Sequence, residues 1–243
     1  MMQKAGFDMN DFFSEVPGIS LEWFGPAHLA LTLGFVASVI LLWIFSPRLK
    51  ASKAEPFVRY AILALGVLFE WRVFESRLLT TSLFRFPLCA VALYTLFYAV
   101  LFKKEKVFKI AYFYAFGSLL SFLFFDTPFG LDRWSGWTFF GAHAVIAWLA
   151  VYGVRVMGYV PRKRDFVTSS LVLAGYAFLA GYAFLRFGGA DELFLFTPPV
   201  DFLTTLQQNS PVLYLFLFSS FAAALMVLMA FPVRAFRKET SIR

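Results

Sequence analysis

Along the chain, long apolar runs alternate with short polar connections. A helix needs about 20 mostly apolar residues to cross the hydrocarbon core of a bilayer. Seven stretches meet that requirement: 27–45, 57–75, 83–102, 107–125, 136–157, 166–186 and 212–232. The pattern predicts an all-α polytopic membrane protein with seven transmembrane helices. Residues 1–26 precede these helices, 27–232 make the transmembrane domain, and 233–243 form a tail. No repeat of domain size interrupts this plan, and no linker is long enough to divide it.

The connections sort by charge. "SPRLKASKAEPFVR", "KKEKVFK", "RVMGYVPRKR" and "RAFRKETSIR" alternate with acidic or mixed segments, and 16 of the 22 lysines and arginines fall on or beside them. Lysine and arginine mark cytoplasmic loops. An odd number of helices then places the N-terminus outside and the basic C-terminal tail inside. The first 26 residues carry Asp8, Asp11, Glu15 and Glu22 against a single basic residue, Lys4, so they do not read as a signal peptide. "FSEVPGISLEWF" mixes aromatics with acids ahead of Gly25-Pro26, as expected of an interfacial segment.

Composition narrows the classes further. At 60% hydrophobic and 15% charged, with 34 phenylalanines, the chain holds more apolar surface than a soluble domain of 243 residues can hide. The net charge of +7 could suggest nucleic acid, but the basic residues lie in short clusters between apolar runs, and nucleic acid is not expected as a partner. One cysteine excludes an internal disulfide. No Cys/His cluster has metal-ligand spacing and no cofactor motif is present, so neither a metal nor a cofactor is expected. Membrane lipids are the expected partners, and the sequence does not set an oligomeric state. The setting that fits is a bacterial cytoplasmic membrane.

Two local features stand out. The doubled hexamer "AGYAFLAGYAFL" at 174–185 turns a helix by about 600° per copy and so does not repeat on one face. Its small residues, Ala177 and Gly181 among them, are expected to admit a neighbouring helix. The connection 187–211 is too long for a simple turn and reads as a lid or re-entrant segment.

Polar groups in hydrocarbon are costly and call for a reason. His28 opens the first run, Glu70 stands a turn and a half before the end of the second, and Cys89 and His143 lie roughly 10 Å below the outer ends of the third and fifth. All four fall in the outer third of the bilayer, which makes them the candidate site. Each also has a structural reading. His28 can be an interfacial hydrogen-bonding residue, and Glu70 can belong to a charge-paired helix end with Arg72, Glu75 and Arg77. Cys89 can be a small buried hydrophobe, and His143 a structural hydrogen-bond donor. Were Cys89 beside His143, the imidazole could take the thiol proton and the thiolate attack an ester carbonyl. Alternatively His28 or His143, oriented by Glu70, serves as general base towards water or a hydroxyl. Thr138, Ser118 and Ser121 are candidate hydroxyls, although helical serines mostly bond their own backbone.

Several stretches together carry a resemblance: "FGPAHLAL", Glu70-Trp71, "FPLCAVAL", "KKEKVFKIAYFYAFG", "WTFFGAHA" and "ELFLFTPPVDFL…NSPVLY". They resemble the bacterial YwaF-like integral membrane family, itself similar to eukaryotic seven-helix acyltransferases that move fatty acyl chains between phospholipids. The resemblance implies lipid acyl transfer or hydrolysis, with His28, Glu70, His143 and Cys89 at the matching positions. In the third helix the family pattern reads Pro-Leu-His-Leu-Cys, whereas this chain has Pro87-Leu88-Cys89-Ala90-Val91. Aligning the prolines puts Cys89 at the family's histidine and Val91 at its cysteine, about 200° apart around the helix. His143 therefore ranks ahead of Cys89.

The leading expectation is a lipid-active enzyme with its polar site in the outer-leaflet half of the bilayer. A transporter or small-molecule-binding subunit using the same polar cavity is the alternative, although no inverted repeat is evident. A retinal-type photoreceptor is excluded because the seventh run contains no lysine for a Schiff base. A structural scaffold remains the remaining class.

Overall fold

The computed structural model describes residues 9–79, 86–125, 127–188, 191, 193–199, 203–231 and 233. The predicted basic tail from 234 onward and the first residues of the third run, 83–85, lie outside them. Every regular element among the described residues is helical. After a short α1 (Met9–Phe12) come α2 (Pro26–Lys50), α3 (Glu55–Leu79), α4 (Leu88–Leu101), α5 (Glu105–Ala111) and, through a 3-10 turn at Tyr112–Ala115, α6 (Phe116–Leu123). Then follow α7 (Trp134–Arg155), α8 (Lys163–Phe187), α9 (Thr204–Asn209) and α10 (Pro211–Leu228).

Each of the seven predicted runs overlaps a helical segment among the described residues. Five are long and apolar enough to cross a membrane: α2, the α5–α6 segment, α7, α8 and α10. α3 has the length, but Arg59, Glu70 and Arg72 interrupt its apolar stretch. α4 is shorter than its run, because Pro87 takes the N-cap in an extended conformation and the helix begins only at Leu88. Its 14 residues span about 21 Å.

α2 starts where its sequence allows, with Gly25 at the N-cap and Pro26 at the first helical position. α7 is the centre of the bundle. It packs against α2, α3, α4 and α6, and 72% of its apolar stretch is buried, against 11% for α2, α8 and α10. The outer helices turn Leu33, Phe178, Leu185 and Phe216 outward, which suits lipid rather than water. Glycines in α7 let aromatic rings press onto its backbone. A Cβ at Gly141 would lie 2.6 Å from the Phe69 ring, and one at Gly153 about 2 Å from Phe108.

Two cores meet at α7. The larger joins Leu63, Leu96, Val100, Phe108, Val145 and Leu149; the smaller joins Phe35, Phe122, Phe125 and Phe140. In the smaller, Phe35 stacks on Phe122 with centroids 3.8 Å apart.

The doubled hexamer behaves differently from expectation. Leu195 and Phe196, from the long connection, approach Gly181, whereas a Cβ at Gly175 would meet no described residue of another element within 4 Å. The small residue thus admits a loop instead of a helix. That connection is shaped by Asp191, whose Oδ2 accepts from the amides of Phe196 and Thr197, and by the Tyr214 hydroxyl, which donates to the Phe194 carbonyl.

The N-terminal segment is strapped to the loop before α7. Asp132 Oδ2 accepts from the Ile19 amide at 3.0 Å, and Arg133 Nε donates to the Val16 carbonyl at 3.0 Å.

Candidate functional site

The four candidate residues divide by position along their helices. His28 is the third residue of α2 and Cys89 the second of α4, so Cys89 sits in a first turn and not two turns down as its run suggested. The delayed start of α4 at Pro87 is the reason. His143 lies nine residues into α7 and Glu70 nine residues from the end of α3, each about 13 Å along its helix.

His28 is almost fully buried, and backbone groups engage both of its nitrogens. Nδ1 accepts from the Phe24 amide at 2.9 Å. Nε2, which then carries the proton, donates to the Phe122 carbonyl at 2.7 Å. One turn later Thr32 Oγ1 donates to the same oxygen at 3.0 Å. That carbonyl lies in the last turn of α6, where helix oxygens lack intrahelical donors. The Phe125 ring meets the imidazole edge-on, 5.0 Å between centroids. His28 therefore ties the start of α2 to the end of α6.

His143 is built differently. It is 5% exposed, lies beside the smaller core, and its ring sits 4.5 Å from that of Phe139. Nδ1 approaches the Phe139 carbonyl of the preceding turn at 2.6 Å. A carbonyl only accepts, so Nδ1 carries the proton and Nε2 keeps its lone pair. Among the described residues Nε2 has no hydrogen-bond partner. This is an imidazole oriented through one nitrogen with the basic nitrogen unclaimed.

Glu70 accepts a short hydrogen bond from the Tyr94 hydroxyl, which links α3 to α4. Its helix neighbour Arg72 pairs with Glu15 at 3.8 Å on an exposed surface, an arrangement worth little in stability. Cys89 is half-buried and packs against the larger core. Neither histidine bonds to the other, to Glu70 or to Cys89.

The candidate hydroxyls turn inward on their own helices. Ser118 donates to the Ala115 carbonyl, Ser121 to Gly117 and Thr138 to Ser135. Among the described residues no three His, Cys, Asp or Glu side chains gather as a metal site requires. Sequence reasoning missed Tyr94 and Thr32. Both hydroxyls stood within five residues of a candidate, at Cys89 and His28, and that spacing could have drawn attention to them.

The pattern of the TMEM164 family, a family of transmembrane proteins, matches residues 23–230. No curated protein and no solved structure matches the chain. The match spans every helix from α2 to α10, and the chain belongs to the TMEM164 family.

Proposed function

We propose that this TMEM164-family membrane protein acts on lipids, by acyl transfer or acyl-ester hydrolysis, with His143 as general base. The observation that carries the reading is the divided imidazole of His143, with Nδ1–H held by Phe139 and Nε2 available. A base needs that tautomer fixed and its second nitrogen within reach of the proton it takes. Nε2 would accept the proton from a water or lysolipid hydroxyl as its oxygen attacks the ester carbonyl. Collapse of the tetrahedral intermediate breaks the acyl–oxygen bond, and the proton passes to the departing alkoxide. Atoms and charge balance without a cofactor.

Glu70 and Tyr94 form a second polar pair, on α3 and α4, which can bind a headgroup. His28 holds α2 in place, and Cys89 remains a nucleophile only where a base reaches its thiol. The resemblance of the sequence stretches above to YwaF-like proteins, themselves similar to seven-helix acyltransferases, is the support for the lipid substrate class. In this reading all seven helices span the bilayer, α3 and α4 included, with the N-terminus outside and the basic loops facing the cytoplasm of a bacterial cell.

Lipidomics on cells with the protein, without it, and with His143→Ala tests the proposal. Acyl-chain distributions should change with the wild-type protein and revert in the variant. Identical distributions in all three would sink it.

A further inference from the structure

At the basic end of the bundle a cleft of about 370 Å³ opens between α2, α6 and α7, a size that accepts small ligands. Val39, Ile40 and Trp43 of α2 face Leu119 of α6 and Val151 and Val154 of α7 across it. Its two wall hydroxyls are spent on backbone: Ser118 donates to Ala115 and Tyr112 to Met229. The cleft is therefore apolar in effect. Half-exposed Ile40 and Leu119 mark its open side, which faces where lipid would lie.

One end of this slot is cationic. Arg155 follows Val154 directly, and its guanidinium stands 4.5 Å from the Trp43 ring centroid. Arg48 and Lys50 close α2 at the same end, with Lys50 Nζ near Gly158. The indole N–H of Trp43 makes no hydrogen bond to a described residue, so a donor stands beside the cation. An apolar slot open to the membrane and ending in fixed positive charge and an indole donor matches one molecular shape. That shape is a hydrocarbon chain attached to a phosphate. A polar solute would leave its own groups unsatisfied on these walls, and an uncharged chain would make no use of the cations.

We propose that the cleft between α2, α6 and α7 holds one acyl chain of an anionic phospholipid whose phosphate pairs with Arg155. The site lies 12 residues along α7 from His143, about 18 Å away. It requires no reaction at that imidazole, so its fate is separate from that of the catalytic reading.

The test uses the purified full chain in neutral detergent, melted with dioleoyl phosphatidylglycerol, dioleoyl phosphatidylcholine or glycerol 3-phosphate. A ligand that binds only the folded state raises the melting temperature. Phosphatidylglycerol should stabilise by several degrees, phosphatidylcholine by less, and glycerol 3-phosphate not at all. Arg155→Gln should weaken phosphatidylglycerol by about fivefold to tenfold, down to the level of phosphatidylcholine. Val151→Phe should weaken both lipids by filling the slot, and His143→Ala should leave the shift in place. Equal shifts from both lipids would overturn the proposal, as would an undiminished phosphatidylglycerol preference in Arg155→Gln or a matching shift from glycerol 3-phosphate alone. Should Arg155→Gln not fold, the three-ligand comparison on the wild-type chain decides the matter.

Discussion

His28 and His143 both border the Phe122–Phe140 core, yet their ring nitrogens are used in opposite ways. His28 spends both on backbone: it accepts from Phe24 and donates to Phe122. His143 spends one, on Phe139, and leaves the other with no partner among the described residues. A buried polar group is ordinarily paired. The comparison teaches that the identity of a residue within a membrane run says less than its remaining hydrogen-bonding capacity. One imidazole is a fastener, and the other keeps one nitrogen unspent among the described residues.

The largest effect should come from the second. His143→Gln keeps most of the volume and can still bond the Phe139 carbonyl, but it offers no basic nitrogen. Lipid turnover by the purified protein in vesicles should fall by ~10²–10⁴-fold, the usual contribution of a general base. Turnover within threefold of wild type would erase the distinction between the two rings.

His28→Ala should act on stability. It removes two hydrogen bonds, leaves Thr32 as the Phe122 carbonyl's remaining side-chain donor and opens a cavity, which together cost roughly 2–4 kcal/mol. Denaturation in mixed micelles would register the loss, while turnover per folded molecule stays near wild type. A specific loss of turnover in a protein of unchanged stability would place His28 in the chemistry after all.

Cys89→Ala should do least. A half-buried thiol in a first helical turn contributes modest packing, and neither histidine bonds to it as an activated thiol needs, so turnover should remain within about twofold. A collapse equal to that of His143→Gln would make the thiol the nucleophile and His143 its base.

The helices were legible because the apolar runs are long and their ends are punctuated, as by Gly25-Pro26 at the start of α2. What composition hid is which helix sits in the middle. α2 and α7 have similar apolar content, yet α2 lies at the edge and α7 at the centre. Lipid is as apolar as a protein core, so no polar stripe distinguishes the two environments. α4 starts later than its run because Pro87 takes the N-cap, which puts Cys89 in the first turn of that helix. The orientation of His143 was not legible at all. Its Nδ1 bond depends on a side-chain rotamer over Phe139, which the spacing of residues does not encode.

The contacts that anchor the front of the molecule also impose an order in time. The Ile19–Asp132 hydrogen bond joins residues 113 positions apart, and His28 reaches Phe122 across 94. At ~5–20 residues per second, a ribosome needs on the order of 5–25 s to supply those partners. α2 must therefore enter the membrane with its imidazole bonded to something else, water or a headgroup, and exchange that temporary partner for Phe122 once α6 is made. During synthesis α2 is a lodger, and only α6 gives it an address.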